Sequence, residues 1–166
     1  NIDNYFLINK SKYIPESIFP KNQGSKFKVP KIIIARQSIK LKSAIDFEGY
    51  YLGKVSFFNI SDNNDGFYLL ALLNSTALDF VFKKLYEPLH LGGGFIRYDM
   101  PYLNTLPICQ ATKDQQAPII SLVDAIIQKK KEYHAISQDI EDYVDFKATQ
   151  LIRLDEFLKI AVEDFE

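Results

Sequence analysis

Phe67–Ile108 reads FYLLALLNSTALDFVFKKLYEPLHLGGGFIRYDMPYLNTLPI, and the rest of the chain is organised around this stretch. Its first twenty residues carry Leu69, Leu70, Leu72, Leu73, Leu78, Phe80, Val81, Phe82 and Leu85, too many apolar side chains for a one-sided helix. The expectation is one buried helix from about Phe67 to Tyr86, with a polar stripe of Ser75, Asp79 and Lys83 on its second half. Pro88 stops it. Gly92-Gly93-Gly94 follows, and three adjacent glycines imply a close approach or a positive φ. Arg97 and Tyr98 are expected to project from this loop. Asp99 and Pro101 then read as the N-cap and first turn of a short helix.

Upstream, Lys31–Ser38 reads KIIIARQS. The run Ile32-Ile33-Ile34 suits a strand buried on both faces. Ser43–Ile60 reads as a meander: a strand near Ala44–Phe47, a turn at Glu48-Gly49, and a strand from Tyr50. Asn4–Asn9 has strand propensity. SDNNDG at 61–66 reads as a loop that also caps the helix. Asn74-Ser75 is read as structural, capping or bonding inside the core. Downstream, Ile119–Glu166 has neither Gly nor Pro, and apolar residues recur at helical spacing. Lys129, Lys130 and Lys131 suit a helix end, and Ser137, Asp139, Glu141 and Asp142 suit a helix start. A break near Tyr133–Ser137, giving an antiparallel helical hairpin, is therefore expected. The fold class is α+β: a small mixed, partly antiparallel sheet on a buried helix, then the hairpin. The division is 1–110 and 111–166.

The net charge of -1 hides a gradient. Residues 1–56 carry ten Lys/Arg against four Asp/Glu, and residues 111–166 carry seven against twelve. A basic first third suits a polyanion, or simply a solvated surface. One cysteine, Cys109, excludes an internal disulfide and fits a reducing, cytoplasmic setting. No run is long enough to span a membrane. The chain starts at Asn1, which fits a fragment of a longer protein. No catalytic constellation emerges. His90 and His134 lack metal-ligand spacing with Cys109 and read as surface or loop residues. No cofactor or metal is expected within these residues, since the triple glycine does not open a phosphate cradle.

KIIIARQ, LLALLNS, GGGFIRYD and YLNTLPI occur in the order and spacing of a known family. Over about Lys31–Leu122 the chain resembles the TaqI-like C-terminal specificity (target-recognition) domain of adenine-N6 DNA methyltransferases and of restriction enzymes fused to them. The NPPY-type and glycine-rich cofactor motifs of those enzymes are absent here. The resemblance implies that sequence is read by this module and that the chemistry occurs in a catalytic methyltransferase domain of the same parent chain. Double-stranded DNA would be the partner. Arg36, Gln37, Ser38, Lys40 and Lys42 form one candidate group, because Arg and Gln can make paired contacts to base edges while Lys and Ser suit phosphates. Gly92, Gly93, Gly94, Arg97 and Tyr98 form a second. The Lys-rich stretch Lys21–Lys31 is a third, as a phosphate clamp. A protein-interaction module built on the helical hairpin, and a self-contained enzyme, are the rival readings.

Overall fold

The computed structural model describes residues 2–3, 5–7, 28–49, 56–60, 62–86, 89 and 91–163, with side chains described only as far as residue 150. Its elements are β1 (Ile2–Asp3), β2 (Phe6–Leu7), β3 (Lys31–Ile34), β4 (Gln37–Ser38), β5 (Ser43–Asp46), β6 (Ser56–Asn59), α1 (Asn63–Leu73), α2 (Thr76–Leu85), a short 3-10 turn (Gly92–Gly94), β7 (Ile96–Arg97), α3 (Met100–Leu103) and α4 (Lys113–Glu163). The class is α+β, as the sequence implies. The chain divides into two units, 1–128 and 129–166.

In the first unit β3 is the middle strand of a three-stranded antiparallel sheet, in the order β5-β3-β6. Ile32, Ile33 and Ile34 are completely buried, as a β-branched run predicts for a central strand. The expected meander is not what forms. β5 and β6 both pair with β3 and not with each other, because the most apolar strand takes the position with two neighbours. Lys31 faces Asp46 across the β3–β5 pair, and their buried ion pair spans 2.9 Å. Asp46 also accepts from the Gly49 amide at 3.0 Å. Of the segment read as NYFLIN, Tyr5 donates its amide to the Ser43 carbonyl beside β5, at 2.8 Å.

The expected single helix is two, α1 and α2, broken at Asn74-Ser75. The reason is the side chain of Asn74. Its Oδ1 accepts from the Ser43 amide and its Nδ2 donates to the Ser43 carbonyl, both at 3.0 Å. This couples the helix end to β5 and confirms the structural reading of that pair. Ser75 then caps α2 by accepting from the Leu78 amide. Asp62 caps α1 in the same way, so the helix starts inside the SDNNDG loop. Leu70, Leu73, Leu78 and Phe82 join Ile32, Ile34, Ile96 and Tyr98 in the core. Phe80 and Leu85 do not; both are exposed.

α4 is the second departure. It begins at Lys113, ahead of Pro118, with Thr112 and Gln115 bonding reciprocally as a capping box. Within the first unit it contributes Val123 and Ile127 to the core. The hairpin expected around Tyr133–Ser137 is absent. The helix runs unbroken to Glu163. Lys129 bonds Glu132 one turn on, and Gln138 bonds Asp142. Charges that would suit two helix termini are used here as pairs along one helix, and no Gly or Pro forces a stop. In the second unit Tyr133, Ile136, Ile140, Tyr143 and Val144 are exposed.

Candidate nucleic-acid interface

Two of the three candidate groups come together in space. β4 and β7 form a two-stranded antiparallel ribbon, with Gln37 opposite Arg97 and Ser38 opposite Ile96. The Tyr98 amide donates to the Arg36 carbonyl at 2.9 Å, which extends the pairing by one residue. Strand alternation then sorts the side chains. Ile96 and Tyr98 point into the core, and Arg97 points out beside Gln37. Arg36 lies at the end of the same ribbon, 44% exposed. Arg36, Gln37 and Arg97 are thus the side chains of this ribbon that reach solvent, although the two strands lie far apart along the chain.

Asp99, a residue absent from the sequence-based candidates, joins the two arginines. Its Oδ1 accepts from Arg36 Nε at 2.7 Å and its Oδ2 from Arg97 Nη2 at 2.9 Å. A carboxylate with one guanidinium on each oxygen restrains both long side chains. The signal was available in the sequence: RYD places an acid two residues after an arginine that alternation turns outward.

The Gly92–Gly94 turn runs into β7. Gly93 and Gly94 both hold positive φ, 75° and 77°, in line with the expectation for the triple glycine. Gly92 and Gly94 have open space where a Cβ would stand, so the backbone here is accessible. Lys40 is exposed and Lys42 is half-buried on the turn that follows β4.

Three other candidates sit elsewhere. Tyr98 does not project from the loop; it is wholly buried, against Phe82 with ring centroids 4.7 Å apart. Its inward direction follows from Ile96, two residues earlier on the same strand. Ser38 is buried also, and its hydroxyl donates to the Lys40 carbonyl, which shapes the turn. In the third group, Lys31 is held inside by Asp46, Lys28 is exposed, and residues 21–27 lie outside the described residues, as does His90.

What fixes the ribbon to the core is Asp79. The sequence sets it in a polar stripe with Ser75 and Lys83, and it is buried. Its Oδ1 accepts from the Leu41 amide at 2.8 Å and from the Tyr98 hydroxyl at 3.0 Å. Its Oδ2 accepts from Lys83 at 2.7 Å. Leu41 follows β4 and Tyr98 follows β7, so one carboxylate on α2 anchors both strands of the ribbon. Burial, then the Asp79 charge and hydrogen bond, holds the Tyr98 phenol well above its ordinary range.

Among the described residues no group of three His, Cys, Asp or Glu is placed to hold a metal ion. No helix there is long and apolar enough to cross a membrane. No curated protein matches the chain. The model of one family does match, over residues 1–108. That stretch takes in the central sheet, α1, α2, α3 and the whole ribbon, and by it the chain belongs to the family of TaqI-like C-terminal specificity domains.

Proposed function

We propose that this chain is the DNA-reading module of an adenine-N6 DNA methyltransferase or of a type II restriction–modification enzyme. The methyl-transfer chemistry resides in a catalytic domain of the parent chain. The observation that carries this reading is the β4–β7 ribbon, which sets Gln37 opposite Arg97 and, through Asp99, joins Arg36 to Arg97, with all three side chains reaching solvent. A two-stranded ribbon is one of the elements the major groove of B-DNA admits. Arg and Gln are the side chains that match guanine and adenine edges there with two hydrogen bonds. Lys40 and Lys42 serve the phosphates. The open Gly92–Gly94 turn lets backbone amides approach the duplex closely. Tyr98 and Ser38 act from beneath, by holding the ribbon in shape. The module binds no cofactor of its own.

The test is DNA binding by the full 166-residue chain against salt and sequence. Counterion release makes the affinity fall steeply as salt rises. Arg36→Ala weakens binding by about 1–3 kcal/mol and relaxes preference at one base pair. Lys40→Ala weakens binding to all sequences alike and lowers the salt slope by about one unit. Equal binding of every duplex by wild type and all variants refutes the reading.

One observation favours a second reading, a protein-docking module. The second unit exposes Tyr133, Ile136, Ile140 and Tyr143 at the three- and four-residue spacing of a helix seam. Its signature would be association that does not depend on DNA.

A further inference from the structure

Asp99 occupies the N-cap of α3 yet makes no side-chain cap bond. An Asp there ordinarily bonds the free amides of the first turn and so stabilises the helix start. Here both carboxylate oxygens go to guanidiniums instead. The two ion pairs are more than 40% exposed on their arginine sides, and pairs of that kind add little stability in water. Stability is therefore a weak reason for the arrangement. Its geometric consequence is strong. Arg36 is gripped through Nε, the inner nitrogen of its fork, and its two Nη groups have no partner among the described residues. Arg97 is gripped through one Nη, and its Nε is enclosed without a partner. The two arginines are thus unequal. Arg36 presents a complete terminal fork, and Arg97 serves chiefly to pin the second oxygen of Asp99. The backbone under Arg36 is itself fixed by the bond from the amide of buried Tyr98.

We propose that Asp99 is the positioning residue of the reading surface. It holds the Arg36 fork for one guanine, whose O6 and N7 the two Nη groups address together, and so sets sequence discrimination at that base pair. This rests on the DNA-reading function proposed above. The negative charge also opposes loose binding to phosphates, so Asp99 trades general affinity for selectivity. Without it, Arg36 and Arg97 swing freely and bind any backbone, and the module gains one unit of net positive charge.

The experiment is binding-site selection by the full chain from a pool of duplexes with a randomised core. It is run with wild type, Asp99→Asn, Asp99→Glu and Arg36→Ala, each also titrated against the unselected pool and melted. Wild type is expected to enrich sites with a fixed G·C pair that Arg36→Ala no longer selects. Asp99→Asn is expected to lose preference at that same pair by about tenfold, equivalent to about 1.4 kcal/mol. It binds the unselected pool more tightly than wild type. Asp99→Glu restores the carboxylate and recovers part of the preference. If wild type enriches a site and Asp99→Asn selects it equally well, the inference fails while the DNA-reading function stands. If Asp99→Asn loses both kinds of binding in step with its melting temperature, Asp99 is structural and the inference fails. If wild type enriches nothing, the DNA-reading function itself falls and the inference with it.

Discussion

Replacing Asp79 by alanine should be among the most damaging single changes to the first unit. The carboxylate is buried on α2 and accepts three hydrogen bonds, from the Leu41 amide, the Tyr98 hydroxyl and Lys83. Bonds to a charged acceptor contribute about 1.5–3 kcal/mol each, but the three are not additive. The Lys83 side chain is 30% exposed, so water recovers much of its interaction. The Leu41 amide and the Tyr98 hydroxyl are buried, and a buried donor that loses a charged acceptor costs about 1–3 kcal/mol. The expected loss is about 3–5 kcal/mol, a large share of the stability of a typical domain. Asp79→Asn keeps an oxygen for Leu41 and Tyr98 but turns an amide NH2 toward Lys83, so it forfeits the charge and the Lys83 bond and should lose about 1–2 kcal/mol. Urea unfolding followed by circular dichroism measures both, with the slope of the transition as a check that the unfolded state has not changed. Hydrogen exchange at the Leu41 amide supplies a local readout, since that amide should lose its protection in the alanine variant. An alanine variant with a wild-type midpoint, or one no worse than the asparagine variant, would show that the carboxylate does not hold the ribbon.

Three further outcomes follow from packing and protonation. Phe82→Ala should lose about 3–5 kcal/mol, because its ring is wholly buried against Tyr98 and Tyr86; Phe80→Ala, at 59% exposure, should lose less than about 1 kcal/mol, and equal losses in thermal melts would contradict the two-helix arrangement. Gly49→Ala should lose about 2 kcal/mol or more, since φ is +71° and the new Cβ would stand 2.5 Å from the Val29 nitrogen; an unchanged melting temperature would mean that this turn is not formed as described. The Tyr98 phenol is held above its ordinary value of 10.0 by burial and by Asp79. Its contribution is complete below about pH 10 and falls as pH rises beyond that, because the unfolded chain ionises first. Tyr98→Phe should therefore flatten the alkaline decline in stability, and a decline as steep as that of wild type would refute the assignment.

What the sequence made legible was local. The Ile32–Ile34 run, the cap at Asn74-Ser75 and the positive φ among the three glycines depend on neighbouring residues, and each is found. What it hid depends on distance along the chain. Asp79 and Lys83 sit four apart, which looks like a solvated pair on any helix. Nothing near Asp79 announces that two of its three partners lie 38 and 19 residues away. The unbroken α4 escaped for the opposite reason. Its charges suited two helix ends, yet a break needs a residue that stops the ladder, and none is present between Ile119 and Glu163. Tyr98 is the instructive error. In FIRYD the alternation of a strand sends Ile96 inward, so Tyr98 must go inward and Arg97 outward, as observed. Taken as a loop, the same five letters offered Tyr98 to DNA and left Asp99 as a helix cap. Taken as a strand, they give a surface of Arg97 with Asp99 behind it, needing only the partner strand that carries Arg36. That partner could not be named from sequence, because the pairing of Gln37 with Arg97 is selected by Asp79 through Leu41 and Tyr98. The surface residues and the buried carboxylate are thus one unit: substitutions at Asp79 should disturb DNA selection without touching DNA, and substitutions at Arg36 should disturb it without touching the fold.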